Sequence, residues 1–202
     1  MRPTRTAILV VAIAAAIAAP AAHAAKGKSS TRFEVTQEVN TLIPDRAGPN
    51  GLFGSLTSTI AAPKKTKGKQ IRDVNVTVRT LGATGAQPGE DLTALLSAPD
   101  GTTAFLFQNL EGFTGAPSVS IGPITLDDEA SFLIGQGDPV NATRVYVPWA
   151  ARLKPEAPLF PMDGGRARGT WTLRMLDAFS GATSVFSSWT LEVTAGRPFR
   201  TR

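Results

Sequence analysis

Residues 71–81 read IRDVNVTVRTL and carry the clearest secondary-structure signal in the chain. Val74, Val76 and Val78 alternate with polar residues along this stretch. A period of two is typical of a β-strand that buries one face in a core and exposes the other to solvent. The stretch therefore predicts a strand in a sheet that is covered on one side.

Similar signals follow on the C-terminal side. Residues 91–108 contain two apolar runs around Pro99-Asp100-Gly101, a combination that predicts a β-hairpin. Residues 170–176 alternate with Trp171 and Leu173 on the apolar side, and 185–193 form a last strand. Because no segment shows a helical period, we predict an all-β fold, a jelly-roll β-sandwich of about eight or nine antiparallel strands.

Weaker patterns complete this prediction. Phe33, Val35 and Val39 indicate a first edge strand with an irregular spacing. Further short strands are expected at 52–60, 124–126, 131–134 and 143–147, and the proline-rich stretch 148–169 is expected to cross the fold as a long ordered segment.

Residues 1–24 are typical of a secretory signal peptide. Arg2 and Arg5 precede an apolar stretch at 7–19, and small residues precede a predicted cut after Ala24. We expect a secreted, extracellular protein without membrane insertion. The predicted organisation is a signal peptide at 1–24, a lead and edge strand at 25–42, a β-sandwich domain at 43–194 and a basic tail at 195–202.

Charge and composition narrow the function classes. Removal of 1–24 leaves 19 basic against 16 acidic side chains, a net charge of +3 that is too small for a dedicated nucleic-acid binder. The basic run at 64–69 and the arginines of the tail are interpreted as solvated loop and frayed end.

Several common enzyme chemistries lack their residues in the predicted mature chain. The sequence contains no cysteine, and its one histidine, His23, lies in the predicted signal peptide. A serine-protease triad needs a histidine to carry the proton, and zinc sites of the common types need histidine or cysteine. We therefore expect no catalytic residues and no enzyme activity.

The ordered segments together resemble a known family. Ile43-Pro44-Asp45, IRDVNVTV at 71–78, DLTALLSAPDGT at 91–102, LDDEA at 126–130 and GTWTLRMLD at 169–177 are similar to the P domain, or P/Homo B domain. In that family the domain accompanies kexin- and furin-like proprotein convertases and bacterial subtilisin-like proteases. The resemblance spans about residues 43–194 and implies a jelly-roll sandwich needed for folding and stability of a protease.

Several features depart from that family. The loop that Leu81 opens has no histidine, Gly89-Glu90-Asp91 stands where animal convertases carry Arg-Gly-Asp, and Arg168-Gly169 replaces a common Asn-Gly. The domain is also expected to follow the signal peptide without a protease domain.

Calcium is the one cofactor that the composition permits, because it prefers carboxylate and carbonyl oxygens in loops. The candidate ligands are the adjacent residues Asp127, Asp128 and Glu129, with Asp91 or Asp177 brought near by the fold. The alternative is that the acidic run ends a strand in water or binds main-chain amides in a turn. No cofactor is required under either interpretation.

The aromatic residues suggest two roles. Trp171 and Trp189 stand at inward positions of the last strands and are expected in the core. Tyr146 and Trp149, beside the proline-rich crossing, are the candidates for stacking on a sugar ring or anchoring a protein.

Three functions remain open at this point. The first is a non-catalytic P-domain protein that binds a protein or a surface glycan outside the cell. The second is an accessory that folds or stabilises a secreted subtilisin-like protease in trans. The third is a hydrolase that uses only carboxylates, with Asp127 and Asp128 as the residues to test.

Overall fold

A computed structural model describes residues 30–47, 51–84, 92–108, 121–134, 152–181 and 183–198. Nine strands lie in these ranges: β1 (Thr31–Leu42), β2 (Gly54–Ala61), β3 (Gln70–Thr84), β4 (Leu92–Ser97), β5 (Thr103–Gln108), β6 (Ile121–Leu126), β7 (Arg152–Leu153), β8 (Thr170–Asp177) and β9 (Thr183–Gly196). Two short 3₁₀-helical turns, Lys64–Thr66 and Phe160–Met162, lie between them. Nearly all regular structure in the described ranges is therefore β, as predicted.

The strands form two sheets. One has the order β1-β9-β3-β6-β7 and the other the order β2-β8-β4-β5. Every pairing is antiparallel except that of β6 with the two-residue β7, which is parallel. This arrangement confirms the predicted β-sandwich.

The core lies between the sheets and is built by the alternation seen in the sequence. Val74, Val76 and Val78 of β3 are all buried. Trp171 and Trp189 are buried as well, which confirms their interpretation as core residues. Burial of side chains of this size supplies much of the stabilisation in a sandwich that has no disulfide.

The buried indole groups keep their hydrogen bonds. Trp189 Nε1 donates to Ser58 Oγ across the two sheets at 2.9 Å, and Trp171 Nε1 donates to the main-chain oxygen of Ala167 at 3.3 Å. A buried N–H without a partner would be costly. These bonds therefore set the orientation of both rings.

The outer face of the five-stranded sheet carries a row of threonines. Thr36, Thr190, Thr77 and Thr125 stand in register on β1, β9, β3 and β6. The hydroxyl oxygens of Thr36 and Thr190 are 2.8 Å apart, and those of Thr77 and Thr125 are 2.9 Å apart. The polar side of the alternation thus forms cross-strand hydrogen bonds on this face.

β1 is the irregular edge strand that the sequence predicts. It pairs with β9 on one side, and its register shifts between Glu38 and Thr41. Asn40, within the shift, has a φ of 47°, in the left-handed region that asparagine tolerates better than most residues. The irregularity is therefore a bulge near the C-terminal end of the strand.

One predicted strand is wrong. Residues 131–134 form no strand, and Leu133 makes only an isolated bridge to Lys154. The cause is a turn closed by the hydrogen bond from Ala130 N to Asp127 O, 3.1 Å long, which ends the β6 ladder before residue 131. The strand predicted at 143–147 lies outside the described residues.

The last strand is longer than predicted. β9 runs beyond the predicted 185–193 at both ends, because it lies between β1 and β3 and pairs with both over its length.

Within the described ranges there is no helix of the length and apolar character needed to span a membrane.

Candidate functional site

The acidic run of the sequence forms a turn, residues 127–129, that we call the acidic turn. Asp127 Oδ1 accepts the main-chain N–H of Glu129 at 2.9 Å, and Oδ2 forms an ion pair with Arg152 Nε on β7. The Asp127 side chain is 3% exposed. The turn removes the strand alternation that would send neighbouring carboxylates to opposite faces. Through its ion pair with Arg152, Asp127 therefore attaches β7 to the edge of the sheet.

Asp128 binds the crossing segment, residues 152–169, from the same turn. Both of its carboxylate oxygens lie 2.9 Å from the main-chain nitrogen of Leu159, and Oδ2 also accepts the N–H of Phe160 at 2.7 Å. These N–H groups open the 3₁₀ turn Phe160–Met162 and have no partner within it. This geometry is the one expected of an acidic run that binds main-chain amides, the alternative to a calcium site.

Several carboxyl groups near the acidic turn have raised pKa values. A hydrogen bond with Asp127, followed by burial, raises the pKa of Glu129 to about 7. Burial, followed by repulsion from Asp127 and Glu192, raises the pKa of Asp73. Burial, followed by repulsion from Asp73, raises the pKa of Asp163 to about 6. Carboxyl groups are therefore crowded at this end of the sheet, and the crowding favours their protonated, uncharged form.

Asn75 lies among these carboxylates on the outer face of β3. It is 4% exposed, and its Nδ2 donates to Asp73 Oδ2 at 3.3 Å and to Glu192 Oε1 at 3.4 Å. The alternation had assigned Asn75 to a solvent-facing side. The neighbouring polar side chains cover it, so Asn75 is buried in a polar surrounding on this face.

The predicted calcium ligands do not all come together. Asp177 pairs in register with Gly54 and Leu92 near the C-terminal end of β1, where Gly181 N donates to Asp45 Oδ2 at 3.0 Å. β1, β9, β3 and β6 are successively antiparallel, so the acidic turn after β6 lies at the opposite end.

Asp91 lies outside the described residues. Among the described ones, no three or more histidine, cysteine, aspartate or glutamate side chains are grouped to hold a metal ion. Calcium binding stays a prediction.

An apolar surface lies at the Asp177 end, and we call Leu52, Phe53 and Phe179 the apical patch. These residues are 89%, 57% and 51% exposed. Phe53 precedes Gly54, the register partner of Asp177, so it stands beside the chain that leads to Phe179. These three residues stay in the solvent although the core is close.

Arg46 organises the apical patch. Its guanidinium lies 5.4 Å from the centre of the Phe53 ring, and its Nη1 donates to the main-chain oxygen of Ala178 at 2.9 Å. One cation thus contacts the two chain segments that carry the aromatic side chains. This surface could not be predicted from the sequence, because single exposed apolar residues are common and only the fold brings these segments together.

The basic run at 64–69 is more structural than its interpretation as solvated loop. Lys65 Nζ donates to the main-chain oxygen of Arg32 at 3.1 Å, and Lys69 Nζ donates to Thr31 Oγ1. These lysines secure the first residues of β1. Tyr146 and Trp149, the predicted stacking residues, lie outside the described residues.

Solved structures that are similar to this chain include two of an Aeromonas sobria serine protease. One is the complex of the Aeromonas sobria serine protease with the chaperone ORF2, at 17% identity and a TM-score of 0.44, covering 82% of this chain and 27% of that chain. The other is the serine protease of Aeromonas sobria, at 18% identity and a TM-score of 0.40, covering 83% and 27%. The present chain thus spans about a quarter of the length of the chains it matches. No protein-family model and no curated protein matches it.

Proposed function

We propose that this chain is an exported, non-catalytic domain of the P/Homo B type that binds a protein partner outside the cell, namely a secreted subtilisin-like protease that it stabilises in trans. The segments that carry the resemblance include the strands β3, β4 and β8 and the turn after β6. A β-sandwich is the fold that the resemblance implies. Both the order of these segments along the chain and the β-sandwich architecture therefore support the proposal.

The apical patch is the observation on which the proposal depends. Clustered, exposed aromatic and aliphatic side chains are costly in water and mark interaction surfaces when they are rimmed by polar groups. Arg46 holds the Phe53 ring from one side. A contact that favours one orientation of the ring before binding lowers the entropy lost when a partner covers the ring.

The sequence supports a binding role over a catalytic one. The one histidine is His23, in the predicted leader, and there is no cysteine. Asp127 and Asp128, the residues of the carboxylate-hydrolase alternative, bind Arg152 and main-chain amides. Both carboxylates therefore have structural partners in place of a substrate-facing role.

The test uses the protein without residues 1–24, immobilised and exposed to the extracellular fraction of its source. We expect retention of a subtilisin-like protease, identified by mass spectrometry, and a higher melting temperature of that protease when the two are mixed. Leu52→Ser with Phe179→Ser should abolish both effects. Phe132→Ser is the matched control, since Phe132 is 73% exposed and follows the acidic turn at the opposite end.

Two results would contradict the proposal. One is the absence of any retained or stabilised protease. The other is an equal loss of binding in the Phe132→Ser control, which would show that binding does not depend specifically on the apical patch. Export has its own test: the N-terminus of the secreted protein should be Ala25, as expected for a cut after Ala24.

A further inference from the structure

The open edge of β1 has a defined set of outward-facing main-chain groups. In an antiparallel pair, the N–H and C=O of successive residues point alternately toward and away from the partner strand. Lys65 reaches the carbonyl of Arg32 from outside the sheet, so the groups of Arg32 point away from β9. By alternation, those of Glu34, Thr36 and Glu38 point away as well.

Both ends of this edge are protected. Lys65 covers the Arg32 carbonyl at the N-terminal end. At the other end, Gln37 Nε2 donates to the Glu38 carbonyl at 2.7 Å, and the register shift with the left-handed Asn40 turns the strand. Lysine side chains and bulges are devices by which proteins block strand addition at sheet edges.

The middle of the edge has no such protection. Among the described residues, no main-chain hydrogen bond joins the outward groups of Glu34 or Thr36 to another segment. Both residues are exposed. The edge therefore offers an N–H and a C=O at each of two alternate residues, a pattern that one added strand would pair.

The flanking side chains define the chemistry of that added strand. On the outer face, Glu34 and Glu38 present exposed carboxylates on either side of Thr36. Toward the second sheet, Val35, Val39 and Leu56 are only partly buried, although they pack against the core. A matching strand carries basic residues on the outer side and apolar residues on the other.

A second copy of this chain fits this edge poorly. Antiparallel pairing of two β1 strands about Thr36 would set Glu34 of each copy opposite Glu38 of the other. Like charges directly opposite each other destabilise a strand pair. The charge pattern therefore favours a different, basic partner.

We propose that the β1 edge binds an extended segment of a partner protein, with alternating basic and apolar residues, by strand addition. Main-chain hydrogen bonds to Glu34 and Thr36 supply the attachment, and the carboxylates of Glu34 and Glu38 select the basic residues. This inference rests on the proposed function, a domain that binds a protein, and names the chemistry of one segment of that partner.

The probe is a fluorescent Lys-Val-Thr-Val-Lys peptide capped at both termini, titrated with the protein and followed by anisotropy. In the proposed register its lysines face Glu38 and Glu34. We expect saturable binding of this peptide, and binding weaker by at least about tenfold for Glu-Val-Thr-Val-Glu. A peptide that is N-methylated at the central threonine should bind equally weakly, because it lacks the N–H that would donate to Thr36.

Thr36→Pro and Thr36→Val separate main-chain from side-chain effects. Proline removes the outward N–H and is tolerated on an edge strand, so the protein should stay folded but lose peptide binding. Valine keeps the N–H and should retain binding, although both variants lose the hydrogen bond to Thr190. Glu34→Lys with Glu38→Lys should exchange the preference for the basic peptide for the acidic one.

Each contrary outcome overturns the inference. The basic peptide could fail to bind, the N-methylated peptide could bind equally well, or a folded Thr36→Pro variant could retain binding. A dimer in sedimentation that Thr36→Pro dissociates would assign the edge to a second copy. If Thr36→Pro captures the extracellular protease as well as the wild type does, the edge proposal fails while the proposed function stands.

Discussion

Trp189 on one sheet donates a hydrogen bond to Ser58 on the other at 2.9 Å. The two residues are 131 positions apart in sequence and both are buried. The bond joins the two sheets directly and fixes the orientation of the Trp189 ring.

Ser58→Ala should lower the free energy of unfolding by about 1–3 kcal/mol, because it leaves the indole N–H buried without an acceptor. Urea denaturation monitored by tryptophan fluorescence measures the loss. Ser55→Ala, at an exposed position of the same strand, is the control and should change little. Adding Trp189→Phe to Ser58→Ala should cost less than the sum of the single changes; strict additivity would contradict a role for the bond.

Asp128→Ala should detach the crossing segment locally and destabilise the fold by about 0.5–2 kcal/mol, the range for losing a capping carboxylate. The amides of Leu159 and Phe160 lose their acceptor and should exchange with deuterium faster. Asp128→Asn keeps one acceptor oxygen and should have a smaller effect. Unchanged exchange at these amides in Asp128→Ala would show that the cap is not needed.

The stability of the protein should depend on pH through Glu129. Its pKa rises from 4.5 to about 7 in the folded state. A carboxyl group with a raised folded pKa contributes stability that is complete below 4.5 and is lost as the pH rises through about 7.

Glu129→Gln should flatten this dependence, which chemical denaturation across the pH window measures. Glu34→Gln, on the exposed edge, should keep the wild-type slope. If the free energy of unfolding changes equally with pH in the wild type and in Glu129→Gln, the interaction with Asp127 does not keep Glu129 protonated.

Gly169→Ala should be more destabilising than an ordinary glycine replacement in a turn. Gly169 has a φ of 145°, and a Cβ there would lie 2.5 Å from Pro99 Cβ. Gly68→Ala is the matched control: its φ is 70°, but nothing lies within 4 Å of the added carbon. The control should cost about 1–2 kcal/mol from backbone strain alone. Thermal unfolding should show a clearly larger loss for Gly169→Ala, and an equal loss would exclude the contact with Pro99.

The candidate sites could be predicted only in part. The adjacent carboxylates of the acidic turn were visible, since they are neighbours in the chain. Their partners Arg152 and Leu159 stand 25 or more positions later, beyond any local pattern. The apical patch escaped prediction for the same reason, because the chain segments that carry Phe53 and Phe179 become neighbours only when β2 pairs with β8.

Local patterns alone determined the strands β3 and β8, the inward tryptophans and the all-β class, because side-chain direction in a strand follows from alternation. The tertiary structure decided what stands beside each strand. It buried Asn75 among carboxylates, turned residues 131–134 out of the sheet and left the middle of β1 open at an edge. Pairing between distant segments depends on the summed packing of both sheets, and no short stretch of sequence contains that sum.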